Sequence, residues 1–355
     1  MFVKNAEINM QLKKIDYLPF LESCWNDHLK PKQENAPTVI STFAGCGGSS
    51  LGYSMAGFRE LLAIEWDNNA VETFKLNFPD VSVFHGDIAK ISVDEVLEMT
   101  GLKSGELDIF DGSPPCQGFS TAGKRVIDDP RNSLFKEYVR LLQGLQPKVF
   151  VMENVSGMVK GVMKFVFVEI LKELKASGYK VSAKLLNAMY FNVPQSRQRM
   201  IFIGVRDDLG IEPSHPKAES KPVIVKEAIN NCSIGLSDGL FTGKKLELAA
   251  RISRGGDGSD ITKGMSFNLK RLHENKPSRT ILKSVGKPNS NYGGGLIHPF
   301  ENRHISINEL KRINSIPDEF QMIGLFQQQW ERIGNSVPPL FMRSIALHIK
   351  NNILV

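Results

Sequence analysis

The sequence predicts an α/β protein with a doubly wound, mostly parallel sheet and a second, smaller, loop-rich domain. From Thr38 to about residue 212, short apolar runs rich in Val, Ile and Phe alternate with helical stretches. Each run is followed by Gly, Asp, Asn or Pro, which is typical of strands buried on both faces of a parallel sheet. Beyond about residue 212 the alternation fades, and Pro, Gly, Ser and basic residues dominate up to about residue 300.

The elements follow in chain order. Residues 1–37 are predicted to be an extension, with a short helix from Leu18 to Leu29 and a linker from Pro31 to Pro37. The predicted strands are Thr38–Ala44, Leu61–Trp66, Val81–Phe84, Leu107–Phe110, Lys148–Met152 and Met200–Val205. The clearest helix spans residues 162–176 and is expected to bury one face, formed by Phe165, Val166, Ile170 and Leu174, and to end at Gly178. Ser306 and Glu309 form a capping-box pattern for a late helix.

Composition narrows the class of protein. A chain of 355 residues with 41% hydrophobic content can bury a large core. Its apolar runs fall far short of the roughly 20 residues that span a bilayer, and no secretory pattern opens the chain. The four cysteines form no two-residue pair and have no histidine cluster beside them, so neither a metal site nor a disulfide framework is expected. These features favour a cytoplasmic protein without a membrane partner.

Positive charge is concentrated in one segment. Between Lys244 and Lys287 there are eleven Lys or Arg against four acidic residues, whereas the whole chain carries a net charge of only +6. Such a segment is typical of a surface that binds a polyanion such as a phosphate backbone. A solvated basic face is the alternative that charge alone leaves open.

Residues after the first three strands indicate a nucleoside cofactor. Gly45 and Gly47 lie in a glycine turn, which lets a ligand approach the main chain. Glu65 follows Gly45 by 20 residues, a spacing at which an acid accepts hydrogen bonds from ribose hydroxyls. Asp87 follows the third strand and can bind an adenine amino group. Because ligands of open α/β sheets lie beyond the carboxyl ends of the strands, these residues form one predicted site.

The fourth strand leads into a rigid turn that carries a thiol. Two prolines precede Cys116, and a thiol at a strand end is a candidate nucleophile once a neighbour lowers its pKa. An inert buried thiol is the alternative for a lone cysteine. Residues 117–133, rich in Gly, Ser and Asp and containing Lys124 and Arg125, have the composition of a lid. A plain surface loop is the competing interpretation.

The fifth strand delivers Glu153, an acid that could protonate or hydrogen-bond a pyrimidine ring nitrogen. In an extended segment Arg197 and Arg199 share one face, and two guanidiniums suit a phosphate or a base carbonyl.

Together these motifs resemble those of the bacterial DNA cytosine-5 methyltransferases. The resemblance runs from Thr38 to Ile349 in the family's order. It rests on Phe43-Ala-Gly-Cys-Gly-Gly48, Pro114-Pro-Cys-Gln117, Glu153-Asn-Val155, Gln195-Ser-Arg-Gln-Arg199, Pro277-Ser-Arg-Thr280 and Gly334-Asn-Ser-Val-Pro338. The implied fold is that of S-adenosylmethionine-dependent methyltransferases, with a catalytic and cofactor-binding domain at 38–228, completed by 325–355, and a DNA-recognition domain and hinge at 229–324.

The resemblance also implies roles for residues. Cys116 would attack C6 of a cytosine flipped from duplex DNA, Glu153 would hold N3, and Arg197 and Arg199 would hold the base and its phosphate. The implied S-adenosyl-L-methionine contacts, with S-adenosyl-L-homocysteine as product, are Phe43, Gly45, Gly47, Glu65, Trp66, Asp87, Ile88, Pro115, Leu134, Asn335 and Ser336. The expected DNA contacts are Ser120, Lys124, Arg125, Gln195 and Arg279. A monomer, accompanied by a restriction endonuclease without a stable complex, is the expected assembly.

Three other functions compete with this one. Relatives of the same architecture that methylate tRNA usually carry a Cys-Phe-Thr element in the recognition region, which this sequence lacks. A non-catalytic DNA-binding relative would be expected to have lost Cys116, Glu153 or an arginine. A nicotinamide enzyme would explain the glycine turn but not the Pro-Pro-Cys turn. The DNA recognition sequence cannot be read from the chain, because no code relates recognition loops to bases.

Overall fold

The computed structural model describes residues 12–115, 133–159, 161, 163–261, 268–285 and 294–354. The chain divides into two compact units, each built from three segments. The sheet unit consists of Asn26–Asn187, Gln198–Lys217 and the chain from Met342 on. The second unit consists of the chain through Trp25, Ala188–Arg197 and Ala218–Phe341. The domain boundaries expected at 37, 228 and 324 stay a prediction.

The described helices are α1 (Tyr17–Leu29), α2 (Gly48–Met55), α3 (Asn68–Asn77), α4 (Val93–Thr100), α5 (Ser133–Leu145), α6 (Met163–Ala176), α7 (Val225–Ala228), α8 (Gly243–Arg251), α9 (Ile307–Ile313), α10 (Phe326–Asn335) and α11 (Pro339–Asn352). The strands are β1 (Thr38–Thr42), β2 (Arg59–Glu65), β3 (Ser82–His85), β4 (Ile109–Gly112), β5 (Val149–Val155), β6 (Tyr179–Asn187), β7 (Gln195–Ser196), β8 (Gln198–Arg206), β9 (Asn268–Arg271), β10 (Ser278–Arg279) and β11 (Gly294–Ile297). Within the described ranges, no helix combines the length and apolar character needed to cross a membrane.

The sheet unit contains a seven-stranded sheet in the order β3-β2-β1-β4-β5-β8-β6. The first five strands pair in parallel, and β8 pairs antiparallel with both β5 and β6. All six strands predicted from apolar runs are present, so the predicted α/β, mostly parallel sheet is confirmed. The seventh strand, β6, was not predicted, because its residues alternate between apolar and polar and only a few are buried.

The predicted helices are confirmed with one error of orientation. Helix α1 spans Tyr17–Leu29, and Ser306 caps α9 with the reciprocal Glu309 hydrogen bond of a capping box. In α6, Ile170 and Leu174 are buried as expected. The prediction for Phe165 is wrong, because its side chain is 69% exposed. Helical periodicity indicates which residues share a face of the helix. It does not indicate which of those residues the neighbouring elements cover.

The second unit is built from short elements that enclose buried hydrophobic residues. Strands β9 and β11 pair in parallel, as do β7 and β10. One cluster of buried residues consists of Phe241, Leu248, Ala249, Ile252, Leu269 and Ile297. Arg271 stabilises the surrounding loops, because its guanidinium donates to the backbone carbonyls of Ala249, Ile252, His298 and Glu301. The loop-rich character predicted for this part of the chain is therefore confirmed.

Candidate active site

Strand order reverses between β1 and β4, since β2 and β3 extend the sheet on one side and β5 on the other. Open parallel sheets bind ligands in the crevice at such a point, beyond the carboxyl ends of the strands. The glycine turn follows β1, and the Pro-Pro-Cys turn follows β4. The two turns predicted from sequence therefore lie at neighbouring strand ends.

Glu65 fixes the glycine turn to the end of β2. Its carboxylate is mostly buried, with the residue 8% exposed. Oε2 accepts the N–H of Gly45 at 2.8 Å, and Oε1 accepts the N–H groups of Trp66 and Asp67, each at 2.9 Å. A carboxylate has about four lone-pair sites. Glu65 therefore keeps acceptor capacity for one further donor while it shapes the turn.

The glycine turn presents bare main chain to open space. Gly45 and Gly47 have φ angles of +57° and +94°, which favour glycine. A Cβ on Gly47 would lie 2.4 Å from Cε2 of Phe78, so that position has no room for a side chain. A Cβ on Gly45 would meet nothing within 4 Å. The space beside Gly45 can therefore admit a ligand in contact with the backbone.

Other predicted cofactor residues surround these strand ends. Trp66 directly follows β2 and is 77% exposed, an unusual position for an indole. Asp87 is exposed and caps a short turn, accepting the N–H of Ala89 at 3.0 Å, and Ile88 next to it is buried. The remaining predicted contacts of this unit are partly buried or exposed: Phe43, Leu134 and Pro115.

Asn154 holds the turn that leads to the predicted nucleophile. Its Nδ2 donates to the backbone carbonyl of Pro114 at 3.0 Å, and Asn154 is 4% exposed. Because Asn154 lies on β5 and Pro114 follows β4, this hydrogen bond fixes the turn to the neighbouring strand. Cys116 itself lies outside the described residues.

Glu153 and Arg199 form an ion pair at the boundary between the parallel and antiparallel parts of the sheet. Nε of Arg199 lies 2.5 Å from Oε1 of Glu153, and their side chains are 14% and 10% exposed. The antiparallel register of β5 and β8 places Val155 opposite Arg199, which brings the two charges together. Such a pair compensates the desolvation of the carboxylate and fixes its orientation.

Gln195 and Arg197 belong to the second unit, whereas Arg199 belongs to the sheet unit. Gln195 is fully buried, donates to Oδ1 of Asn314 at 2.8 Å and accepts the N–H of Ile281 at 3.0 Å. Arg197 is 2% exposed and donates to the carbonyl of Ile281 at 3.3 Å. Both side chains therefore have a structural role in this unit, and their contacts with DNA stay a prediction.

Arg279 lies in a basic part of the second unit. Its guanidinium donates to the carbonyl of Gly255 at 2.8 Å, and Asp257 lies 3.7 Å from it. Lys270 pairs with the same carboxylate at 2.9 Å. Arg279 and Lys270 line a cavity of about 260 Å³ together with Trp330.

The other predicted contacts lie in the second unit or outside the described residues. Asn335 is exposed at the end of α10. Ser336 is mostly buried, and its hydroxyl donates to the carbonyl of Val337 at 3.0 Å. Their part in cofactor binding stays a prediction. The predicted DNA contacts Ser120, Lys124 and Arg125 lie outside the described residues.

Sequence analysis missed two acids that lie within the sheet unit. Asp111 on β4 is 3% exposed, and its burial raises its pKa to about 8. Burial likewise raises the pKa of Glu60 on β2 to about 7. The signal was present, because Asp111 extends the apolar run Leu107–Phe110 with a charged residue that parallel strands rarely bury.

Comparison with known proteins identifies the family. A family model for C-5 cytosine-specific DNA methylases matches residues 37–351. Type II methyltransferase M1.HphI of Haemophilus parahaemolyticus is 36% identical over 337 residues, covering 87% of this chain and 85% of that protein. Type II methyltransferase M.NgoFVII of Neisseria gonorrhoeae is 34% identical, covering 89% and 87%. A crystal structure named as a DNA modification methyltransferase encoded within an E. coli prophage superposes with a TM-score of 0.73 and 25% identity, covering 90% of this chain and 100% of that one. The chain belongs to the C-5 cytosine-specific DNA methylases.

Proposed function

We propose that this protein is a Type II DNA methyltransferase that transfers a methyl group from S-adenosylmethionine to C5 of a cytosine in a specific duplex sequence. The observation that carries the proposal is the largely buried Glu153–Arg199 pair on β5 and β8, next in sequence to the Asn154 that holds the Pro-Pro-Cys turn. The names of the two Type II relatives support it. We further propose a cytoplasmic monomer that accompanies a restriction endonuclease without a stable complex.

The residues after β1, β2 and β3 fit S-adenosylmethionine. The open space beside Gly45 admits a ligand against the main chain. Glu65 has acceptor capacity left for a ribose hydroxyl, and the exposed face of Trp66 suits an adenine ring. Asp87 can accept a hydrogen bond from the adenine amino group. When bound, the cofactor supplies a methyl group that its sulfonium makes electrophilic.

The base chemistry follows from Cys116, which comes after β4, and from Glu153 on β5. The thiolate of Cys116 attacks C6 of the cytosine. Glu153 hydrogen-bonds or protonates N3, which withdraws electrons from the ring and makes C6 electrophilic. Arg199 keeps the Glu153 carboxyl in position. Once C5 carries the methyl group, loss of the C5 proton re-forms the C5–C6 double bond and expels the thiolate.

The basic segment of the second unit supports a role in binding duplex DNA. Lysines and arginines that neutralise phosphates release counterions, which makes binding favourable at low salt. Flipping the target base costs a few kcal/mol, which contacts to DNA must offset. Arg279 and Lys270 share one acidic partner, Asp257, so together they retain net positive charge beside their cavity.

The test is methyl transfer from radiolabelled S-adenosylmethionine to duplex DNA and to tRNA, followed by bisulfite sequencing. We expect labelled cytosines in DNA at one short motif. Activity on tRNA alone, or on neither substrate, would contradict the proposal.

The nucleophile is tested with the protein's own cysteines as controls. Cys116→Ser should abolish turnover while leaving cofactor binding largely intact. Cys232→Ser should remain active, because burial raises the pKa of the Cys232 thiol to about 11 and leaves it unreactive.

DNA with 5-fluorocytosine at the methylated position should form a stable adduct with Cys116, and the absence of any adduct would refute the covalent mechanism.

A further inference from the structure

Two hydrogen bonds to acids fix helix α2, which begins directly after the glycine turn. The hydroxyl of Tyr53 donates to Oδ1 of Asp111 on β4 at 3.0 Å. The hydroxyl of Ser50 donates to Oε1 of Glu60 on β2 at 2.9 Å. Tyr53 and Ser50 are fully buried. Polar contacts with two strands therefore set the position of this helix in addition to apolar packing.

The strand end at Asp111 is also tightly held. The hydroxyl of Thr42 on β1 donates to the backbone carbonyl of Asp111 at 3.0 Å. A Cβ on the next residue, Gly112, would lie 2.4 Å from Oγ1 of Thr42 and 2.6 Å from the ring of Tyr138. The backbone at Asp111 and Gly112 is therefore closely packed. Because Tyr53 is hydrogen-bonded to Asp111, we expect a shift of α2 to displace the segment that leads to Cys116.

The buried position of Asp111 favours the neutral form of its carboxyl group. Burial, together with the nearby acids Glu60 and Glu153, raises its pKa to about 8 against the opposing effect of hydrogen bonds from Tyr53 and Ser49. No Lys, Arg or His is among the described groups that act on its pKa. A protonated carboxyl can accept a hydrogen bond from Tyr53 and can also donate its own proton. The neutral form therefore avoids an unpaired charge in this buried position.

We propose that Asp111 is a positioning residue, which through Tyr53 keeps the turn that binds the methyl donor aligned with the turn that carries the thiol. The inference rests on the proposed function, because alignment matters only if donor and nucleophile act on one base. Asp111 and Tyr53 act through the two turns and not by contact with a substrate. Loosening their hydrogen bond lowers the rate of methyl transfer, since displacements of about 1 Å can cost about a hundredfold in rate.

The experiment measures kcat and KM for DNA methylation from pH 6.5 to 9.5, with the affinity for S-adenosylhomocysteine measured alongside. Tyr53→Phe should lower kcat about tenfold and change KM and the affinity less than threefold. Asp111→Asn should keep kcat within about twofold of the wild type at pH 7, because the amide accepts and donates as the neutral acid does. Asp111→Ala, which leaves the Tyr53 hydroxyl without its acceptor, should lower kcat about tenfold, whereas Asp111→Asn should retain the rate across the whole pH range, because an amide oxygen accepts that hydroxyl at every pH.

Tyr179→Phe is the matched control. Tyr179 is buried in the same unit and donates to the carbonyl of Pro147 at 2.8 Å. Its loss should lower stability as Tyr53→Phe does, without changing kcat.

An unchanged kcat in Tyr53→Phe, or a kcat in Asp111→Asn as low as that in Asp111→Ala, would overturn the inference. If Tyr53→Phe does not fold, the comparison of Asp111→Asn with Asp111→Ala decides alone. A wild-type protein that methylates no DNA would instead refute the proposed function.

Discussion

Replacing Glu60 by Gln should stabilise the protein at pH 8 but not at pH 4. Oε2 of Glu60 is inaccessible to solvent, and Oε1 accepts a neutral hydroxyl, that of Ser50, at 2.9 Å. A carboxylate in such a position lacks the hydration that stabilises its charge. Gln keeps an acceptor oxygen at the same place and never ionises.

The sign and size of the effect follow from linkage. In the unfolded chain Glu60 loses its proton near the usual pKa of 4.5, whereas in the folded protein it keeps the proton up to about pH 7. The folded state therefore binds more protons than the unfolded state between these values, and the free energy of unfolding falls as pH rises through that window. At about 1.4 kcal/mol per unit of pKa, the loss is roughly 3 kcal/mol by pH 8.

The assay is urea unfolding of the wild type and Glu60→Gln at pH 4 and pH 8. Comparing the two proteins removes the contribution of every other titrating group that the substitution leaves alone. We expect similar midpoints at pH 4 and a higher midpoint for Glu60→Gln at pH 8. The exposed Glu34 provides a control, and Glu34→Gln should change neither midpoint appreciably. If the urea midpoint changes equally between pH 4 and pH 8 in the wild type and in Glu60→Gln, the reasoning is refuted.

Three further predictions concern single contacts. Asn154→Ala should lower kcat about tenfold, because the Pro114 carbonyl loses its donor and the thiol-bearing turn is released; methyl-transfer kinetics measure this. Glu65→Ala should weaken S-adenosylhomocysteine binding at least about tenfold, because three backbone N–H groups lose their acceptor; calorimetry measures the affinity. Gly204→Ala should destabilise the fold by at least roughly 2 kcal/mol, because its Cβ would lie 1.9 Å from the ring of Phe150; urea unfolding measures it.

Each of these predictions has a result that contradicts it. Full turnover by Asn154→Ala would show that the Pro114 hydrogen bond is dispensable. Unchanged affinity in Glu65→Ala would mean that the glycine turn keeps its shape without the carboxylate. Wild-type stability in Gly204→Ala would mean that the core around Phe150 yields far more easily than its packing indicates.

The fold was predictable from the sequence where a strand is buried on both faces, because such a strand has a continuous apolar run. Strands β1, β2, β4, β5 and β8 have such runs. The edge strand β3 has no buried residue and was predicted from a short apolar pattern, whereas β6, which alternates at the other edge, was missed. The antiparallel direction of β8 was equally unreadable, because an apolar run carries no information on strand direction. Phe165 shows the same limit in a helix, since periodicity does not report how far the neighbouring strands extend.

The candidate site was predictable as a set of strand ends. Glu65 was placed there from its spacing to Gly45, but its hydrogen bond to the N–H of Gly45 depends on the register of β1 against β2, which the sequence does not state. Asn154 was visible only as part of a motif, and its contact with Pro114 requires the pairing of β4 with β5. Asp111 and Tyr53 are 58 residues apart, so only the folded sheet brings them together.

The interleaving of the two units constrains both biosynthesis and protein engineering. The sheet unit is complete only when the chain from Met342 on has emerged from the ribosome. The whole of Ala218–Phe341, which belongs to the other unit, emerges before it. During synthesis, β5, β6 and β8 are available for pairing well before this last segment emerges.

The same interleaving limits the design of chimeras. A chimera that exchanges only Ala218–Phe341 to alter sequence preference would retain Ala188–Arg197 and the N-terminal segment of the parent protein. Because Gln195 is buried against Asn314 and Ile281, a successful graft must exchange these segments together or preserve their mutual contacts.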